Sequence, residues 1–81
     1  MRVSLLLFAA LRDVVGTDRQ ELDLVAGSSA RDLWERLRQA HPELERYRTA
    51  PMIAVNQSYV PPETALQDGD EVALIPPVAG G

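Results

Sequence analysis

The residues best suited to chemistry stand in the run EVALIPPVAGG, which closes the sequence on Gly80 and Gly81. Pro76 and Pro77 have no N–H group to donate, so a strand cannot continue through them, and they hold the backbone extended. Six extended residues, 76–81, reach roughly 20 Å. Because glycine has no side chain, Gly80 and Gly81 suit a narrow channel. The run predicts a thin arm that presents a carboxylate, and a frayed end without function is the alternative.

Other groups that could do chemistry are few. His41 is the only histidine, and it stands where the longest predicted helix should end, so we expect it to interact with the helix dipole. Asp68, Asp70 and Glu71 surround Gly69 but lack the ligand spacing of a calcium loop, and therefore predict a tight turn. We expect no metal site and no self-contained active site.

Composition excludes several function classes. The chain has no cysteine, which rules out disulfides, thiolate metal sites and cysteine nucleophiles. A net charge of -4 and a pI near 4.7 argue against a nucleic-acid partner, because such proteins need a basic surface. The opening MRVSLLLFAA predicts a buried strand in preference to a secretory signal, and no stretch predicts a membrane span. We therefore expect a cytoplasmic protein.

The hydrophobic pattern predicts the elements that must position the arm. The first three elements are a strand at 3–8, a short helix that Gly16 ends, and a half-exposed strand over RQELDLV. A long helix follows, capped by Ser28 or Ser29 and ended by Pro42. Two short strands around a turn at 56–58 and a last strand at 71–75 complete the order. The core-facing stripe of the long helix is predicted to be Ala30, Leu33, Trp34, Leu37 and Ala40. One helical turn after it would bury Leu44 and Tyr47.

This order predicts an α+β domain at 1–75, with one long helix across a mixed sheet of about five strands, followed by the arm at 76–81. It suits a ubiquitin-like β-grasp sheet, in which the last strand lies beside the first. The pattern alone does not prove the strand order.

Three stretches, LLLFAALRDVVGTD, AVNQSYV and LQDGDEVALIPPVAGG, resemble the small subunit of molybdopterin synthase, the MoaD-type sulfur carriers with a ubiquitin-like β-grasp fold. The resemblance implies that a ubiquitin-activating-like adenylyltransferase uses ATP to adenylate Gly81, with Gly80 beside it. A persulfide protein then supplies sulfur, which leaves a thiocarboxylate on Gly81. The carrier binds no cofactor and is not an enzyme on its own.

The same resemblance implies that the arm enters a large subunit, where its sulfur attacks cyclic pyranopterin monophosphate. Because a dithiolene needs two sulfurs, two loaded carriers are consumed for each product, and a heterotetramer of two small and two large subunits is implied. The arm residues that would contact the partner are Pro76, Pro77, Val78 and Ala79.

Strand alternation predicts a docking surface beside the arm. If Val72 and Leu74 face the helix, Ile75 points to the other side of the sheet. Val3, Leu5 and Leu7 are then inward, while Leu6 and Phe8 point outward. An apolar patch of Phe8, Tyr59 and Ile75 is the predicted docking face. The alternative is a second core layer covered by loops.

Three other functions stay open at this stage. The chain resembles carriers that supply sulfur to thiamine thiazole, to tRNA or to amino-acid synthesis, because these share the glycine pair. A ubiquitin-like modifier joined to lysines of target proteins is the second. A β-grasp interaction module with an idle tail is the third.

Overall fold

The apolar run near the start of the chain forms β1, an interior strand of a five-stranded mixed sheet. The computed structural model describes residues 1–46 and 50–76, so the predicted burial of Tyr47 and the arm residues 77–81 lie outside the described part. The elements in chain order are β1 (Arg2–Leu7), α1 (Ala9–Val15), β2 (Arg19–Asp23), α2 (Ala30–Ala40), a 3-10 helix (Pro42–Arg46), β3 (Met52–Val55), β4 (Ser58–Tyr59) and β5 (Glu71–Ile75).

The strand order is β2-β1-β5-β3-β4, which places the last strand in the middle of the sheet. β5 runs parallel to β1, and every other neighbouring pair is antiparallel. The last strand therefore lies beside the first, as predicted. β5 ends at Ile75, immediately before the first proline of the arm.

α2 begins at a capping box formed by Ser29 and Asp32. The Ser29 hydroxyl accepts from the Asp32 N–H at 3.2 Å, and the Asp32 carboxylate accepts from the Ser29 N–H at 2.9 Å. Of the two predicted caps, Ser29 is the one used. His41 is the C-cap, where its N–H donates to the Leu37 carbonyl at 2.9 Å, and Pro42 ends the helix as predicted.

The core lies between α2 and one face of the sheet. The predicted helix stripe is buried at Ala30, Leu33, Trp34 and Leu37, but the prediction for Ala40 is wrong because this residue is exposed. The helix ends there, and Leu44 of the 3-10 helix is fully buried at that end of the core. The prediction for Leu44 is therefore confirmed.

α1 stops at Gly16, as predicted. Gly16 has a φ of 91°, in the left-handed region that favours glycine, and its N–H donates to the Arg12 carbonyl at 2.8 Å. Leu11 is fully buried, with Val14 and Val15 partly buried against the core. Over residues 1–46 and 50–76, no helix combines the length and the apolar content needed to cross a bilayer.

Candidate functional site

The candidate site is built on the sheet face opposite α2, which we call the outer face. Val3, Leu5 and Leu7 of β1 are buried on the helix side, and so are Val72 and Leu74 of β5. Because successive side chains of a strand alternate between faces, the residues between them point to the outer face. The predicted inward and outward sets of these two strands are thus confirmed.

The register aligns apolar residues across the outer face. One row pairs Leu6 with Ala73, Ala73 with Ala54, and Ala54 with Tyr59, so it crosses four strands. The adjacent row pairs Ile75 with Met52, and continuing the β1–β5 register by one residue places Phe8 beside Ile75. We call the seven residues of these rows the apolar half of the outer face: Leu6, Phe8, Met52, Ala54, Tyr59, Ala73 and Ile75.

Three side chains of the apolar half are strongly exposed. The exposed fractions are 47% for Phe8, 54% for Met52 and 63% for Tyr59. Leu6 and Ile75 are half-buried between them. Such a group of large apolar side chains on one face is typical of a surface that another protein covers.

The rest of the outer face, at its other end and along β2, is polar, and its side chains contact one another. Arg19 of β2 pairs with Leu6 and therefore lies at the boundary with the apolar half. Arg2 Nε donates to Asp23 Oδ1 at 3.2 Å, and Ser4 Oγ donates to Glu21 Oε1 at 2.9 Å. Arg19 and Glu71 form a looser ion pair, with 4.0 Å between Nη2 and Oε2. We call these six residues the polar half: Arg2, Ser4, Arg19, Glu21, Asp23 and Glu71.

The hydrogen bond from Arg2 lowers the pKa of the Asp23 carboxyl below its usual value, and the nearby positive charge of Arg2 adds to this effect. The carboxylate of Asp23 is therefore held in its charged form by its neighbour on β1. Each charged side chain of the polar half has a polar neighbour within the same half.

The arm leaves the domain from the apolar half. Ile75 is the last residue of β5 and belongs to that half, and Pro76 follows it directly. The last printed pair of β1 and β5 is Leu7 with Leu74, so the next residues along the two strands, Phe8 and Ile75, are two of the predicted docking residues at the end of β5. Tyr59 lies on the same face, on edge strand β4. Pro77, Val78, Ala79, Gly80 and Gly81 lie outside the described residues.

Sequence reasoning missed Met52 and Ala54. Met52 and Ala54 flank the inward-facing Ile53 in β3, so strand alternation could have assigned both residues to the opposite face of the sheet. Their position beside Ile75 and Ala73 depends on the β3–β5 register, which the sequence does not reveal.

Backbone strain occurs next to the apolar half. Ala9 has a φ of 50°, in the left-handed region where a side chain is disfavoured. It follows Phe8, which is extended at φ -123° and caps α1. The chain therefore turns sharply out of the sheet after Phe8.

The acidic loop before β5 is a turn, as predicted, and its carboxylates accept from backbone N–H groups of the loop itself and of β1. Asp70 Oδ2 accepts from the Gln67 N–H at 2.8 Å, and Asp68 Oδ1 accepts from the Arg2 N–H at 2.7 Å. Within residues 1–46 and 50–76, acidic and histidine side chains do not gather into a cluster that could hold a metal ion.

A groove of about 590 Å³ lies along the sheet edge between α2 and strands β3 and β4. Trp34 lines it, and it borders Met52 and Tyr59 of the apolar half. Two ion pairs flank it, Arg31 with Glu63 at 3.2 Å and Arg38 with Glu35 at 2.9 Å. Arg31, Glu35 and Arg38 line the groove and belong to these pairs, and Glu45 lines it as well.

The sequence profile of the ThiS family matches residues 5–81. The chain belongs to the ThiS family. This ThiS-family protein is 42% identical over 83 residues to the molybdopterin synthase sulfur carrier subunit of Chlamydomonas reinhardtii, with 100% of both chains covered. The resemblance to MoaD-type sulfur carriers is confirmed at this level.

Solved structures agree with the fold. The putative molybdopterin converting factor subunit 1 of Pyrococcus furiosus superimposes with a TM-score of 0.86 at 32% identity, covering 96% of this chain and 99% of that one. The small archaeal modifier protein 1 of Haloferax volcanii gives 0.84 at 28% identity, covering 95% and 98%. The strand order and these neighbours confirm the predicted ubiquitin-like β-grasp fold.

Proposed function

We propose that this protein is the sulfur-carrier subunit of a molybdopterin synthase and that Gly81 carries the sulfur. The observation that carries the proposal is the position of the apolar half at the end of β5, because Ile75 belongs to that half and Pro76 follows it directly. Curated relatives aligned over the full length are named as molybdopterin synthase sulfur carrier subunits. A carrier of this kind needs one surface for docking and one free carboxylate for chemistry.

The chemistry begins at the terminal carboxylate, which is a poor electrophile. An adenylyltransferase would join it to AMP from ATP and release pyrophosphate. The outer sulfur of a persulfide would then attack the carbonyl carbon and displace AMP. Cleavage of the sulfur–sulfur bond by a thiol leaves the thiocarboxylate on Gly81 and a disulfide on the donor.

Docking would place the thiocarboxylate in the large subunit. The apolar half covers a matching surface there, while 76–81 extends roughly 20 Å into the active site. The thiocarboxylate sulfur attacks a carbon of cyclic pyranopterin monophosphate and displaces an oxygen substituent from it, which gives a thioester between Gly81 and the substrate. Water then cleaves the carbonyl carbon–sulfur bond, so the sulfur stays on the substrate and Gly81 returns to a carboxylate. Two loaded carriers supply the two sulfurs of the dithiolene, which suits a heterotetramer of two small and two large subunits.

A second candidate is a protein modifier. The similarity to a small archaeal modifier protein favours it, because both chains have the same fold over nearly their whole length. In that role, the activated Gly81 would form an amide with a lysine of a target protein in place of a thiocarboxylate.

Reconstitution with the adenylyltransferase, ATP, a persulfide donor and the large subunit tests the proposal. We expect intact-protein mass spectrometry to show one oxygen replaced by sulfur at Gly81, and we expect deletion of Gly81 to abolish this species and the dithiolene product. Gly81→Ala is the matched comparison, because it keeps the arm length and the terminal carboxylate and adds only a methyl group, so it separates the need for the terminal residue from the need for a residue without a side chain. Normal product from the truncated chain would overturn the proposal, and lysine conjugates without a thiocarboxylate would favour the modifier.

A further inference from the structure

Met52 occupies an unusual position for a methionine. It is the first residue of β3, its partner across the ladder is Ile75, and its side chain belongs to the apolar half at the root of the arm. Its side chain is 54% exposed. The protein therefore exposes a thioether beside Ile75, the residue at which β5 ends.

The other methionine provides an internal comparison. The chain has two methionines and no cysteine, so Met1 and Met52 hold its only side-chain sulfur atoms. Met1 is half-buried and packs against the core at the opposite end of β1. Because an oxidant must reach the sulfur, Met52 is the better target of the two.

Oxidation of a thioether changes what a docking surface can bind. A hydroperoxide transfers one oxygen atom to the sulfur, so the methionine loses two electrons and the peroxide is reduced to water or an alcohol. The sulfoxide is polar and accepts hydrogen bonds. Buried against an apolar partner surface, its oxygen would lose water without gaining a donor, which weakens binding.

We propose that Met52 is a site of reversible oxidation by hydroperoxides, and that its sulfoxide weakens docking of the carrier on the large subunit. This inference rests on the proposed function, because it assumes that the apolar half is covered in the complex. Oxidation of Met52 would thus regulate docking, which is the step before sulfur transfer. The sensitive atom lies in the domain and is separate from the sulfur on Gly81.

The test uses the full-length carrier in its carboxylate form, so that no thiocarboxylate is present to react with peroxide. Limited hydrogen peroxide treatment followed by peptide mass spectrometry should show sulfoxide at Met52 before Met1. Calorimetric titration into the purified large subunit should show affinity lowered roughly tenfold for the oxidised carrier. Methionine sulfoxide reductase should restore the affinity, and the bound large subunit should slow oxidation of Met52 but not of Met1.

Met52→Leu is the matched control, because leucine keeps a similar apolar volume without the sulfur. We expect peroxide to leave the affinity of this variant at the value that the same variant has before treatment, whereas the affinity of the unsubstituted carrier falls. Earlier oxidation of Met1, unchanged affinity of the sulfoxide form, or an equal loss of affinity in peroxide-treated Met52→Leu would overturn the inference alone. If the untreated carrier neither binds the large subunit nor accepts sulfur, the proposed function fails, and the role of Met52 fails with it.

Discussion

The two halves of the outer face lie on the same sheet and differ in how their side chains are satisfied. In the polar half, each charged group has a neighbour, as in the pairs of Arg2 with Asp23 and Arg19 with Glu71. In the apolar half, Phe8, Met52 and Tyr59 expose about half of their surface or more. The side chains of the polar half pair with one another in the free protein, whereas burial of the apolar half against a partner would be favourable because it removes apolar surface from water.

This difference is the physical basis for proposing the apolar half as the docking surface. Exposed charge pairs gain little from a partner, because binding would remove their water without improving their geometry. An apolar surface gains free energy in proportion to the area removed from water. Docking on the apolar half also brings the partner to Ile75, where the arm begins.

The largest expected effect is on docking. Phe8→Ala should weaken binding to the large subunit by about 2 kcal/mol, or roughly thirtyfold, because an aromatic anchor at the arm root is lost. Calorimetric titration measures the affinity, and thermal unfolding checks that the variant stays folded. Val25→Ala is the matched control, since Val25 is 79% exposed but lies after β2, outside both halves.

If Val25→Ala weakens docking as much as Phe8→Ala does, the apolar half is not the binding surface. If Ser4→Ala, in the polar half, weakens docking more than Phe8→Ala does, the polar half and not the apolar half is the binding surface.

The two ends of the sheet also differ in how they hold residues with positive φ. At the polar end, Asn56 has a φ of 50°, and its side chain binds two neighbours: Nδ2 donates to Asp70 Oδ1 at 3.0 Å, and Oδ1 accepts from the Glu71 N–H at 3.0 Å. Asparagine tolerates this conformation better than most residues. At the apolar end, Ala9 adopts the same φ and its methyl group makes no hydrogen bond.

The same substitution should therefore have opposite effects at the two turns. Asn56→Gly should lower the free energy of unfolding by about 1 to 2 kcal/mol, because two hydrogen bonds are lost. Ala9→Gly should raise it by about 0.5 kcal/mol, because relief of the left-handed strain exceeds the added entropy of the unfolded chain. Urea unfolding of both variants measures the difference, and destabilisation by Ala9→Gly would show that the strain is absent.

The smallest effect concerns the titration of the polar half. The folded pKa of Asp23 lies below its ordinary value of 3.8, so its contribution to stability is present above that pH and is lost as the pH falls through the folded pKa. In Arg2→Gln, we expect the Asp23 pKa to return toward 3.8, as measured by carbon NMR of the carboxyl group. Arg12→Gln is the control, and an unchanged Asp23 pKa in Arg2→Gln would show that the pair does not form.

Much of the site follows from alternation and end signals in the sequence. The spacing of Val72, Leu74 and Ile75 is enough to assign their faces, because one face of the sheet must be buried. The stop at Gly16 and the cap near Ser29 follow from the backbone groups that a helix end leaves unpaired. The prediction of an extended arm at 76–81 uses only the residue types of the two prolines and the two glycines, and it does not depend on how the rest of the chain folds.

Other features depend on contacts between distant residues and could not be predicted. The pair of Met52 with Ile75 and the pair of Arg2 with Asp23 both require a strand register. Ala9 gives no turn signal, since alanine favours a helix, and it does begin α1, although with a positive φ that alanine disfavours. The predicted burial of Ala40 is wrong because helical spacing does not reveal that Leu44 of the 3-10 helix fills that end of the core.

The parallel pairing of β1 and β5 has a consequence for folding during synthesis. Until β5 is made, the earlier strands can form only two separate pairs, β2 with β1 and β3 with β4. The strand that joins them is translated after all the others, and contacts such as Arg2 with Asp68 close a separation of 66 residues. Closing so long a loop is slow. A nascent chain therefore lacks the complete outer face until its last strand inserts, so an unfinished carrier cannot compete with a finished one for its partners.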